Sequence, residues 1–163
     1  MKNYQLISIK NSYKQLKELS GSKGYYVPLV KNIKLIDIEL EAFDLIKAKT
    51  KEFDEFLKRK EELLIKYSSK DDKGTPIKTI EEIDGMQYYK YDVSEDNKKL
   101  LEVEGKELME EFNDALLEMK EREEKYLAVL EGECSVEFHK INEKDLPNEM
   151  TPELFEIIED FVV

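Results

Sequence analysis

Two long stretches, 28–67 and 95–131, place apolar residues at steps of three and four, the first with no breaker inside. That spacing puts them on one face of an α-helix and is incompatible with a strand, whose side chains alternate with period two. In the first stretch the lane is Leu29, Ile33, Ile36, Leu40, Phe43, Ile46, Thr50, Phe53, Leu57, Lys60, Leu64 and Tyr67. A second lane, Leu35, Ile38, Ala42 and Leu45, predicts that its first half is buried on two sides. In the second stretch the seam is Leu101, Gly105, Leu108, Phe112, Ala115, Met119, Arg122 and Tyr126, near a heptad. The simplest arrangement pairs the two as an antiparallel, coiled-coil-like helical hairpin. Gly105 interrupts the seam and predicts a close approach or a bend there.

Between the helices, 68–94 carries turn residues and then two short β-prone runs flanking Asp84-Gly85, a two-residue hairpin signal. That turn would set Ile80 opposite Tyr89 and Lys78 opposite Tyr91. Pro28 suits the first turn of the long helix. The run Tyr4–Ile9 is short, apolar and partly β-branched and predicts a strand. A second strand is expected over 133–141, able to pair with the first. Thr151-Pro152 caps a last helix. The fold expected is therefore a single α+β domain over 1–163, mostly helical. Residues 1–27 and 132–163 form a small α/β base, 28–67 and 95–131 the helical hairpin, and 68–94 an inserted β-hairpin.

Charge narrows function. Residues 1–94 hold 18 Lys and Arg against 16 Asp and Glu, a net of +2, whereas 95–163 hold 8 against 22, a net of −14. Such acidity disfavours direct nucleic-acid binding and attracts a basic protein surface. Within it Glu104, Glu107, Glu111, Asp114, Glu118 and Glu121 step by three and four along one helical face. The lane would be about 25 Å long. It either neutralises itself against Lys47, Lys51 and Lys58 of the partner helix or meets a cationic partner. Tyr88, Tyr89 and Tyr91 offer an aromatic surface beside it, or pack across strands onto the helices.

No catalytic or metal-binding pattern emerges. His139 is the only histidine, on an alternating run that predicts a surface position. Cys134 is the only cysteine, which excludes an intrachain disulfide, fits a reducing compartment, and shares a face with Val136 and Phe138 as a core thiol would. Asp71-Asp72-Lys73-Gly74 has too few ligand positions for a calcium loop. The opening MKNYQLISIK lacks the apolar core of a signal peptide, and no run is long enough to span a bilayer. The expectation is a cytoplasmic, non-enzymatic protein without cofactor or metal, outside membranes.

The stretch EELLIKYSSKDDKGTPI (61–77), followed by a tyrosine-rich strand, resembles a family of small acidic helical proteins encoded by phages and prophages of low-GC bacteria. The tail VEFHKINEKDLPNEMTPELFEIIEDF (136–161) is similar to that family's ending: a short strand, a Leu-Pro turn and a Thr-Pro-capped helix. The resemblance implies a phage or mobile-element origin. It transfers no catalytic residue. Together with the charge it points to a protein-binding role, with an acidic, partly DNA-mimicking face inhibiting a host nuclease or nucleoprotein complex as an anti-defence factor. The alternative is a virion or tail assembly factor that oligomerises through the helical hairpin, with a homodimer as its simplest form.

Overall fold

A computed structural model describes residues 1–83 and 86–163, so the expected Asp84-Gly85 turn lies outside the described residues. Among the described residues, six α-helices and one two-stranded antiparallel sheet make a mostly helical α+β protein. The helices are α1 (Tyr4–Glu18), α2 (Lys23–Ile46), α3 (Lys51–Tyr67), α4 (Glu95–Glu111), α5 (Asn113–Glu131) and α6 (Pro152–Ile158). The strands are β1 (Lys78–Ile83) and β2 (Met86–Tyr91). Contacts divide the chain into two compact units, one made of Met1–Ala48 with Arg122–Val163, the other of Lys49–Glu121.

The first unit holds the main core. Leu6, Ile9 and Leu16 of α1 meet Tyr25, Leu29, Ile33, Ile36 and Phe43 of α2, together with Ile141, Ile158 and Phe161. The predicted strand at 4–9 is instead the start of α1. Its β-branched residues do not prevent a helix, because Leu6, Ile9, Tyr13 and Leu16 step by three, four and three and place one face in the core.

With that strand absent, 133–141 has no ladder to join and is extended chain with isolated bridges, Lys2 to Glu133 and Ile141 to Val162. Its alternation survives. Cys134, Val136 and Phe138 are half-buried, while Ser135, Glu137 and His139 are exposed. The fully buried Asn32 of α2 clamps this segment. Its Nδ2 donates to the His139 carbonyl at 2.9 Å and its Oδ1 accepts from the His139 N–H at 2.8 Å. One side chain thereby does the work of a neighbouring strand.

The long helix expected over 28–67 is two helices. α2 begins earlier, capped by Ser22, so Pro28 lies inside it rather than in its first turn. The chain leaves α2 at Lys47 and re-enters a helix after Thr50, whose hydroxyl accepts from the Phe53 N–H at 3.1 Å. Thr50 is thus an N-cap rather than a lane residue, with Glu52 and Asp54 favourably placed in the first turn of α3. The second lane of α2 is not buried: Ile38 is 62% and Leu45 72% exposed. The helix expected over 95–131 is likewise interrupted at Phe112, whose φ of −103° and ψ of 19° fall outside the helical basin.

In the second unit, α3 and α4 run antiparallel. Arg59 pairs with Glu111 and Lys66 with Glu104, seven residues forward on one helix for seven back on the other. The Phe56 and Phe112 rings lie 5.8 Å apart between them. The strand register sets Ile80 opposite Tyr89 and Lys78 opposite Tyr91, as the sequence predicts. Asp71 closes the loop before β1: its Oδ1 accepts from the N–H groups of Lys73 and Thr75, and Gly74 takes a φ of +79°.

Candidate functional site: the acidic face of α3 and α4

Helical spacing places Glu104, Glu107 and Glu111 on one side of α4, and Asp114, Glu118 and Glu121 continue the series on α5. The six do not share one environment. Glu104 is half-buried and accepts from Lys66 Nζ at 2.6 Å and from the Tyr67 hydroxyl at 2.5 Å. Those two donors hold its carboxyl below the ordinary carboxylate range, and Glu104 in return raises Lys66. Glu111 pairs with Arg59 and raises it; the same guanidinium stands 5.3 Å from the Phe112 ring centre. Glu107, Asp114, Glu118 and Glu121 are exposed.

Arg59 and Lys66, rather than Lys47, Lys51 and Lys58, are the cations that pair with Glu111 and Glu104 of the lane. Lys47 pairs with Asp44 at 3.0 Å and sits 4.5 Å from the Tyr126 ring centre. Among the described residues Lys51 and Lys58 make no ion pair. The physical reason is register: Arg59 and Lys66, seven apart, lie on the flank of α3 that faces Glu104 and Glu111, also seven apart.

That flank carries carboxylates which the sequence reading missed. Glu55 and Glu62 precede and follow Arg59 by one turn, and both add to the potential that raises it. A groove of about 360 Å³ results, lined by Glu62, Glu104, Glu107 and Glu111 with Arg59 and Lys66, over a floor of Leu63 and Leu108. Four carboxylates against two cations leave it acidic. The series Glu55, Arg59, Glu62, Lys66, at steps of four, three and four, was the available signal.

The tyrosines do not form one surface. Alternation places Tyr89 and Tyr91 on one face of the sheet and Tyr88 on the other. Tyr91 is half-buried, and its hydroxyl donates to Glu61 Oε1 at 3.2 Å. Burial first, then Glu61, raises that phenol. Tyr89 is 58% exposed, with Lys78 Nζ 3.7 Å from its ring centre.

His139 is exposed, and its backbone N–H and carbonyl are held by Asn32. Cys134 is half-buried against the first unit's core. Among the described residues no cluster of three His, Cys, Asp or Glu could hold a metal ion, and no helix is long and apolar enough to cross a membrane. Compared with protein families, with functionally described proteins and with solved structures, the chain matches none.

Proposed function

We propose that this chain is a non-catalytic binding protein of phage or mobile-element origin, acting in the host cytoplasm, whose acidic α3–α4 face occupies the basic groove of a host nucleic-acid-handling enzyme. The observation that carries the reading is the distribution of charge on that face. Lys66 pairs with Glu104 and Arg59 with Glu111 across the two helices. Glu107 remains exposed beside Glu62 in the acidic groove, and the exposed Asp114, Glu118 and Glu121 of α5 continue the series past the interruption at Phe112.

A nucleic-acid groove is built to bind a row of negative charges. Duplex DNA presents one per about 1.7 Å of axis. One helical lane presents one per about 5 Å, from a rise of about 1.5 Å per residue. A second row on α3, contributed by Glu55 and Glu62, narrows that difference. The face thus copies part of a phosphate row, and association with its partner is steered by long-range attraction that salt screens.

The test uses carboxylates outside the Arg59 and Lys66 pairs. Glu107→Gln, Asp114→Asn and Glu121→Gln together should leave the far-ultraviolet circular dichroism unchanged. Affinity for the partner recovered from host lysate should fall by tenfold or more, and association should slow as salt rises. Unchanged affinity with no salt dependence contradicts this reading. The contact would then shift to Tyr89, the most exposed of the three tyrosines named.

A second reading has its own support. Only Phe56, Tyr67, Leu108 and Ala115 are buried apolar side chains in the second unit among the described residues. That scarcity favours an assembly element in which α3 and α4 form a coiled-coil-like hairpin completed by other copies. Co-sedimentation with phage particles would favour it over inhibition.

A further inference from the structure

The acidic groove occupies one side of the α3–α4 seam, and the other side is unlike it. A second hollow of about 190 Å³ there is lined by Phe56, Lys60, Leu64, Leu101, Gly105 and Met109, over the same floor of Leu63 and Leu108. Lys60 is its single charged group. Gly105 opens it: a Cβ built at that position would meet no atom within 4 Å. Glycine inside a helix costs about 1 kcal/mol relative to alanine, and no close approach offsets that cost here. Met109, one turn further along α4, is 49% exposed beside the hollow.

We infer that this apolar side is the surface through which two copies of the chain associate, with Met109 of each copy seated in the Gly105 hollow of the other. Three arguments select a second copy. The first is burial. An α3–α4 pair with so few buried apolar side chains needs more covered surface, and small helical units obtain it by oligomerising. The second is charge. Copies of net −12 repel, and the groove with Glu62, Glu104, Glu107 and Glu111 cannot face itself, so association is directed to the side with one charged lining group. The third is size. Two antiparallel helices of 17 residues present a face about 25 Å long and 20 Å wide. Side-chain relief brings that towards the roughly 800 Å² per partner of a stable interface.

A two-fold axis makes the contact reciprocal, with a knob and a hole on each copy. An unbranched methionine adapts well to such a hole. The inference concerns the side away from the acidic groove and does not depend on what that groove binds. It leaves both grooves of a dimer facing outward.

Sedimentation equilibrium of the full chain from about 1 to 100 μM tests it. The weight-average mass should climb from 19.3 kDa towards twice that value. Met109→Glu should raise the dissociation constant by at least about tenfold, and Gly105→Leu should do the same by filling the hole. Leucine favours the helix, so loss of association by Gly105→Leu with intact circular dichroism cannot be ascribed to unfolding. Val103→Glu, on an exposed part of α4 away from the hollow, should leave the constant unchanged. A mass fixed at 19.3 kDa over the whole range overturns the inference. So does a dimer indifferent to both Met109→Glu and Gly105→Leu, or a monomer that uses Met109 only to bind a different protein.

Discussion

The two compact units of this chain are built from similar helices yet hold together differently. In the first, eleven side chains from α1, α2, α6, the turn after α6 and the extended segment close one contiguous core, with Tyr25, Leu29, Ile36 and Phe161 fully buried. In the second, four apolar side chains are buried among the described residues, and ion pairs at Arg59 and Lys66 flank them. Exposed ion pairs contribute little, about 0–1 kcal/mol each. Core burial contributes about 1.5–3 kcal/mol per large side chain. The lesson is a division of labour: the first unit supplies stability, and the second supplies surface.

The largest expected effect contrasts the two cores. Phe161→Ala removes a fully buried ring whose centre lies 4.7 Å from that of Phe138 and should cost about 3–5 kcal/mol in chemical denaturation. Phe56→Ala should cost less, about 2–3 kcal/mol, because its ring already borders the Gly105 hollow. Equal losses would erase the distinction. Phe112→Ala should cost less again, since that side chain is half-buried at the interruption between α4 and α5.

Next comes the clamp. Asn32→Ala would leave the His139 N–H and carbonyl without their partners and should cost about 1–3 kcal/mol. Hydrogen exchange at the His139 amide should accelerate in step. If the amide stays protected, the extended segment is held by its flanking bridges instead.

The first unit should also show an alkaline limb. Burial holds the Tyr25 phenol neutral, pushing its pKa up to about 12, and its hydroxyl donates to the Leu16 carbonyl at 3.0 Å. Its folded value lies above the unfolded value of about 10. The associated stability is complete below about pH 10 and is lost as pH rises towards about 12. Tyr25→Phe should flatten that limb of the stability curve. Glu104 acts at the other extreme with the opposite sign: its lowered carboxyl contributes stability that is present above the ordinary range and is lost as pH falls through the folded value. Glu104→Gln should flatten the acid limb of the second unit alone.

The smallest effect is a gain. Gly105→Ala places a methyl in open space and favours the helix, so it should stabilise the second unit by up to about 1 kcal/mol. Gly24→Ala, by contrast, would place a Cβ 2.5 Å from the Asp145 carboxylate, which must swing away and loosen its hydrogen bond from the Ser22 hydroxyl.

Much of this was legible in the residues. Periodicity alone marked the helical stretches, and Ile80 opposite Tyr89 followed from strand alternation and a two-residue turn. The errors have local causes. β-Propensity favours a strand at Tyr4–Ile9, but the continuation through Tyr13 and Leu16 carries the helical period that wins. Thr50 followed by Glu52 and Asp54 is a cap signature hidden inside an apolar lane. Other features have no local signal. Asn32 and His139 are 107 positions apart, and the register that gives Glu111 to Arg59 is set by tertiary packing. The acidic lane was visible as a series, whereas which of its carboxylates meet Arg59 and Lys66 depends on that register.

The difference between the units is measured most directly by native-state hydrogen exchange followed at about 1 and 100 μM protein. Amides of α1 and α2 should be the best protected, at a level independent of concentration, because their core is complete within one chain. Amides of α3 and α4 should exchange faster in dilute solution and gain protection as concentration rises, because a second copy covers the Gly105 side. Uniform protection of all four helices, unchanged across the two concentrations, would contradict the division between a unit that builds the core and a unit that presents a surface.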